Sequence, residues 1–357
     1  MRKRIVGALS FFIMLGSLVA CAADTDYMDG VMTDEGSEEM EGYIVVGFSQ
    51  IGSESDWRIA NAESFRQEFT EANGYYLIFE DAQQKQENQI KAVRNFILQE
   101  VDYIVLDPIV ESGWEGVLQE ARDAGIPVIL ADRMLQVEDE DLYTCWVGSD
   151  FKEEGRMAGE WLAGYLARRG REEEPVNIVT IQGTLDSSAQ LGRTEGFWEI
   201  LQEHPNWTML EWQSGDFTQA KGREVMESFL KQYDNINVVY CENDNEAFGA
   251  IEAIEAAGKK VGSDIVGDEI MVLSFDGVGE EAIGYMTEGK ITCIAECNPL
   301  HGPRVRAIIE LLETGGTPEK YSYVDEEIFS ADETVKNVTV NGKEYAVTIL
   351  AREAEHE

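Results

Sequence analysis

The chain alternates between short runs that are apolar at every position and longer segments whose apolar residues recur at helical spacing. YIVVGF at residues 43–48 is the first run, and 57–73 follows with helical spacing. Strand-like runs then fall at 75–80, 103–107 and 127–131, with helical segments at 84–99 and 113–124. Runs without polar alternation predict strands buried on both faces, which means a parallel sheet between two layers of helices. After a run at 143–148 the plan repeats. Helices are predicted over 151–168, 188–203, 218–232 and 245–257, and strands over 176–182, 208–214, 238–241 and 271–276. So long an alternating body exceeds what one core covers, so the pattern predicts an α/β fold of two doubly wound parallel-sheet lobes. No Pro/Gly/Ser-rich linker divides them, which predicts a close junction with more than one crossing of the chain.

The ends of the chain do not share this rhythm. Residues 1–21 carry Arg2, Lys3 and Arg4, an apolar run, and Leu18-Val19-Ala20-Cys21. This predicts a lipoprotein signal peptide, with Cys21 as the lipidated residue that anchors the protein to the cell membrane from outside. Residues 22–42 hold eight carboxylates and no Lys or Arg, a composition that repels itself and predicts a disordered acidic tether. A formal net charge of −41 over 357 residues lacks the basic footprint that nucleic acid or anionic lipid requires. The other cysteines, Cys145, Cys241, Cys293 and Cys297, sit in apolar runs without zinc-site spacing and are expected to be free, buried thiols. No metal and no cofactor is predicted.

In open parallel sheets ligands bind beyond the carboxyl ends of the strands. The first series ends in Ser49-Gln50, Asp107-Pro108, Asp132-Arg133 and Ser149-Asp150. The second ends in Gln182-Gly183-Thr184, in SGDF at 214–217, in Glu242-Asn243-Asp244 and in Asp276-Gly277, with Glu296 closing a later strand. Asp107 and Asp216 read as caps of the helices that follow them. Trp57, Arg133 and Arg193 have no capping role. Carboxylates and amides pair with adjacent hydroxyls, guanidinium groups present forked donors, and an indole covers the apolar face of a ring, so the set suits a neutral polyol. Carboxylates outnumber arginines at these ends, which disfavours an anionic guest.

Residues 43–329 resemble the bacterial periplasmic sugar-binding proteins of the ribose-binding type, and among them the galactofuranose-binding members that serve ABC transporters. The likeness lies in SQIGSESDWR (49–58), DAQQKQENQIKAV (81–93), PVILADR (127–133), SGDFTQAKGREVMESF (214–229), END (242–244) and FDGV (275–278). The resemblance implies the type I periplasmic binding protein fold. It divides the chain into 43–149 plus about 297–324 as an N-terminal lobe, and 150–296 plus about 325–333 as a C-terminal lobe, leaving 334–357 as a C-terminal extension. It implies sugar contacts at Ser53, Glu54, Trp57, Arg58, Asp132, Arg133, Asp150, Arg193, Phe217, Asn243, Asp244, Asp276 and Glu296. Two departures fall at strand ends: residues 147–150 read VGSD where relatives end in Asn, and Glu242 replaces a small or imidazole side chain. QQKQENQ reads physically as the first turn and solvated face of a helix.

The implied function is that of an extracytoplasmic binding protein, monomeric, which closes on a monosaccharide, a furanose such as galactofuranose, and hands it to a membrane permease with its ATPase. Closure about crossings near Ser149 and Glu296 would bury the charged set, so Arg133 and Arg193 are expected to pair with carboxylates. The alternative is a receptor that presents its sugar to a sensor kinase or chemoreceptor. No catalytic group is evident: His204, His301 and His356 lie apart from any nucleophile motif. A transcriptional repressor of the same fold would carry a helix-turn-helix domain where this chain has its leader and tether.

Overall fold

A computed structural model describes Met40 and residues 42–350. The signal peptide, Cys21, almost all of the tether and the last seven residues lie outside the described residues. From residue 42 onward the chain forms one compact unit.

The first part runs β1 (Ile44–Gln50), α1 (Asp56–Glu68), β2 (Tyr75–Asp81), α2 (Gln86–Leu98), β3 (Tyr103–Leu106), α3 (Glu115–Ala124), β4 (Val128–Ala131) and β5 (Cys145–Gly148). The second runs α4 (Phe151–Arg168), β6 (Val176–Gln182), α5 (Ser188–Glu203), β7 (Trp207–Ser214), α6 (Gln219–Gln232), β8 (Val238–Cys241), α7 (Asp244–Ala256), β9 (Lys260–Val261), β10 (Glu269–Asp276), α8 (Gly279–Thr287) and β11 (Cys293–Glu296). The chain ends in α9 (His301–Glu313), β12 (Tyr321–Tyr323), β13 (Ile328–Ser330), β14 (Asn337–Val340) and β15 (Lys343–Ile349).

These strands build two sheets, one per lobe. The first has the order β12-β5-β4-β3-β1-β2, and every neighbouring pair in it is parallel. The second has the order β14-β15-β13-β11-β10-β8-β6-β7, with β9 beside β10. It departs from the all-parallel expectation at one edge, where β13 runs antiparallel to β11 and β14 antiparallel to β15. The short strands β9, β12 and β13 were not predicted, because two or three residues are too few to show a period. Residues 337–349 form the β14–β15 hairpin, whose Val338, Val340 and Val347 are buried in the core of the second lobe with Trp161, Phe197 and Tyr240.

Strand order reverses on either side of β1 and again on either side of β6, so each sheet has a switch point, and loops diverge there to leave a crevice. The chain passes between the sheets three times: from β5 to α4 at 149–150, from β11 to α9 at 297–300, and from β12 to β13 at 324–327. The four cysteines at 145, 241, 293 and 297 are free and buried.

Candidate functional site

The site begins with helix caps. Ser55, Asp150, Ser187, Thr218 and Asn243 each follow a strand end and accept a hydrogen bond from a backbone N–H in the first turn of the next helix. The helices therefore start at the crevice, and their first turns aim side chains into it. Three non-glycine residues that face the crevice occupy the left-handed region: Asp132 at φ 59°, Phe217 at φ 60° and Asp276 at φ 92°. That conformation costs a few kcal/mol at most and persists where the surroundings impose it, commonly at ligand sites.

Glu54, Ser55, Trp57, Arg58, Asp132 and Arg133 from the first lobe enclose a cavity with Phe151, Ala189, Arg193, Phe217, Asn243 and Asp276 from the second; Cys297 of the second crossing completes the lining. The space between these side chains, with the open solvent at its mouth included, is about 290 Å³, which limits a guest to a small molecule. The lobes touch beside it, where Asp56 N donates to Asn245 Oδ1 at 3.0 Å and Met134 N to Ser188 Oγ at 2.9 Å.

Three arginines organise the lining. Arg58 meets Glu54 at 3.1 Å, Asp132 at 2.8 Å and also Asp107. Burial alone would lower its pKa, but Asp107, Asp132 and Glu54 together hold it above the ordinary arginine value. Arg193 meets Glu154 at 2.7 Å and Asp276 at 3.4 Å, and burial raises the Asp276 carboxyl to about 7 against the pull of Arg193. Arg133 departs from expectation. Among the described residues no carboxylate lies within ion-pairing distance of it; Nη1 donates to Ile109 O at 3.1 Å and Nε is buried without a partner. Burial, and then the nearby Arg58, bring its pKa down to about 10. Its guanidinium lies 5.1 Å from the Phe217 ring centroid.

Two of the three aromatic residues in the lining are fixed from behind. Trp57 Nε1 donates to Cys297 O at 2.7 Å. Phe217 N donates to Glu246 Oε1 at 2.9 Å, and its carbonyl accepts from Asn243 Nδ2 at 3.1 Å. Gly183 lies against the Phe217 ring so closely that a Cβ there would come within 1.9 Å of Cζ.

Four of the residues expected to contact sugar do not line the cavity. Ser53 is exposed and donates to Asp81 at 2.8 Å; its neighbour Ser55 takes the place facing the crevice. Asp150 is exposed and committed to capping α4 at Glu153 N. Asp244 is buried behind the lining, where it accepts from Ser274 Oγ at 2.7 Å and Gly277 N at 2.8 Å and so fixes the turn that presents Asp276. Glu296 joins two crossings, accepting from Glu327 N at 2.9 Å and Asn298 Nδ2 at 3.2 Å. The departure at Glu242 also lies behind the wall, accepting from Gly183 N at 2.8 Å.

Sequence reasoning missed Asp107, Glu154 and Cys297. Asp107 is an ion-pair partner rather than a cap, and Glu154 and Cys297 had no signal: one is a buried acid in a chain with 69 Asp and Glu, the other a cysteine just past a strand. Gln89 of QQKQENQ is fully buried. Its Nε2 donates to Asp107 O at 2.5 Å and its Oε1 accepts from Ile109 N at 3.0 Å, so it shapes the loop on which Arg133 rests.

Residues 46–301 match the periplasmic binding protein domain family. The chain is 42% identical over 293 residues to the galactofuranose-binding protein YtfQ of Escherichia coli K12, covering 81% of this chain and 88% of that one. A solved structure from Mycobacterium smegmatis in complex with β-D-fucofuranose is 42% identical with a TM-score of 0.75, over 80% of this chain and 91% of that one. The periplasmic binding component of the arabinose ABC transporter from Shewanella sp. ANA-3, bound to α- and β-L-arabinofuranose, is 41% identical with a TM-score of 0.73 and the same coverages.

Proposed function

Because the chain belongs to the periplasmic binding protein family, we propose that it is the extracytoplasmic substrate-binding lipoprotein of an ABC sugar importer, taking a furanose into the inter-lobe cavity and presenting it to the permease. The observation that carries this is the lining itself. Arg58 and Arg193 arrive with their charges compensated, so a neutral guest can enter without breaking either set of ion pairs. Glu54 Oε2, Asp107 Oδ1 and Arg133 Nε are buried polar atoms without partners, and unmade hydrogen bonds of this kind are what a polyol satisfies. The Trp57 indole and the Phe217 ring supply apolar faces for the sugar ring.

Both lobes contribute to the wall, so a guest bridges them and favours the closed arrangement by its differential contacts. The moving bodies would be 43–149 with about 297–324, and 150–296 with about 325–333. Relatives are transport receptors rather than enzymes, and the lining offers no nucleophile and base pair. Lipidation at Cys21 and a permease partner complete the reading.

Calorimetric titration of the body from residue 42 with L-arabinose, D-galactose, ribose and a methyl galactofuranoside locked in the five-membered ring tests it. Binding of the furanoside, with arabinose and galactose weaker in proportion to their furanose content, is expected. No heat with any of these sugars would overturn the proposal.

A further inference from the structure

The three crossings between the lobes meet at one buried cluster of acids. Glu326, on the third crossing, accepts through Oε1 from Ser149 Oγ of the first crossing and from Asn298 N of the second, at 3.1 Å for the latter. Glu154, in the first turn of α4, faces it; Cys297 is the third member, with one atom of each side chain within 4.8 Å of the others. Glu154 is fully buried. Its Oε2 holds Arg193 at 2.7 Å, while its Oε1 is buried with no donor to accept from.

A second carboxylate within 4.8 Å of the first is repulsive when both are ionised, and a single proton between them converts repulsion into a hydrogen bond. We propose that Glu154 and Glu326 share one proton when the lobes close, and that this acid–carboxylate pair positions Arg193 for the guest and fastens the three crossings together. The inference rests on the sugar-binding reading above. A divalent cation fits less well, because the Arg193 guanidinium at 2.7 Å from Oε2 already supplies Glu154 with a positive charge. Every charged or titratable group facing the pair is consistent with a proton. Arg193 of α5 compensates the one remaining negative charge, Asp132 from the end of β4 adds repulsion, and the Cys297 thiol is held neutral by burial. Burial and Glu154 both raise Glu326 well above the ordinary carboxyl value.

Opening the lobes about these crossings admits water to the cavity wall at Cys297, beside the pair, and a solvated glutamate titrates near 4.3. Closure on sugar at neutral pH therefore takes up a proton. Titrating the whole body with methyl galactofuranoside at roughly pH 7 to 8, in two buffers of different ionisation enthalpy, should show uptake of about one proton per sugar, shrinking toward acid pH. In Glu326→Gln the amide oxygen can accept from Ser149 and Asn298 and the amide N–H₂ can donate to Glu154. This variant should take up about one proton fewer per sugar than the parent, while Glu154→Gln, which uncouples Arg193, should bind about tenfold more weakly at every pH.

Sugar heat that is identical in both buffers, or undiminished uptake in Glu326→Gln, overturns the shared proton and leaves the sugar reading intact. Absence of heat with every sugar overturns that reading instead, and melting curves then decide the pair. The Tm of the parent should fall more steeply than that of Glu326→Gln as pH rises above the unfolded glutamate value of about 4.3; parallel curves overturn the proposal.

Discussion

At the scale of single residues, Arg133 and Gly183 make the sharpest claims. Arg133 has no carboxylate partner and its Nε faces none of the protein's acceptors, so its forked donors are available to the guest. Arg133→Ala should therefore cost roughly 1.5 to 3 kcal/mol of binding, the worth of hydrogen bonds to a charged group, with little change in Tm. Calorimetry on the variant checks this; affinity equal to the parent's would remove Arg133 from the site. Gly183→Ala drives a methyl group into the Phe217 ring. Overpacking of this kind costs about 1 to 3 kcal/mol, and here it should appear in sugar affinity as well as in melting, because the displaced ring is a cavity wall. The strand ends that carry these residues were readable in the sequence, since parallel topology sends polar residues there. Which of them turn inward was not: Ser53 and Asp150 sit one or two positions from residues that line the cavity, and the difference is a cap geometry that residue type alone leaves open.

Among the elements, α4 and α5 matter most, because Arg193 on one meets Glu154 on the other. They approach closely through glycines: a Cβ on Gly196 would lie 2.0 Å from Lys152 O, and one on Gly155 2.4 Å from Arg193 O. Gly196→Ala should force the helices apart, lengthen the Arg193–Glu154 contact and lower sugar affinity about tenfold or more, since small misplacements of binding groups are costly. An unchanged Kd would show that the helix pair does not set the position of Arg193. The terminal hairpin acts on stability instead. Val335, Val338, Val340 and Val347 are all buried against the second core, and each buried valine is worth about 1.5 kcal/mol or more. Ending the chain after residue 333 should lower the Tm by more than about 5 °C without altering the cavity wall. The long helices and central strands of both lobes were legible from periodicity; the antiparallel attachment of the terminal hairpin at the edge depended on β13, too short to show a pattern.

For the molecule as a whole, buried acids and one buried histidine set the response to pH. Burial raises Glu242 to about 8 against the hydrogen bonds from Thr194 and Gly183 N, and raises Asp276 to about 7 against the pull of Arg193, whereas unfolded Glu and Asp titrate near 4.3 and 3.9. The folded state keeps protons that the unfolded state releases, so this stabilisation is complete below about pH 4 and is lost as pH rises toward 8. His301 has the opposite sign. Burial lowers it to about 4, so its contribution is present above about 6.5 and is lost as pH falls toward 4. Melting curves should show a maximum in the mildly acidic range, and Glu242→Gln should flatten the alkaline limb alone. The net charge of −41 adds self-repulsion that salt screens, so Tm should also rise with ionic strength. Finally, the three crossings have a consequence for synthesis. The sheet of the first lobe gains its edge strand only from residues 321–323, and α9 packs against α1 from the same late segment. A chain emerging from its N-terminus at about 5 to 20 residues per second leaves the β5 edge bare for of the order of ten seconds. The first lobe therefore stays incomplete, and open to threading through a narrow export channel, until almost the entire polypeptide has been made.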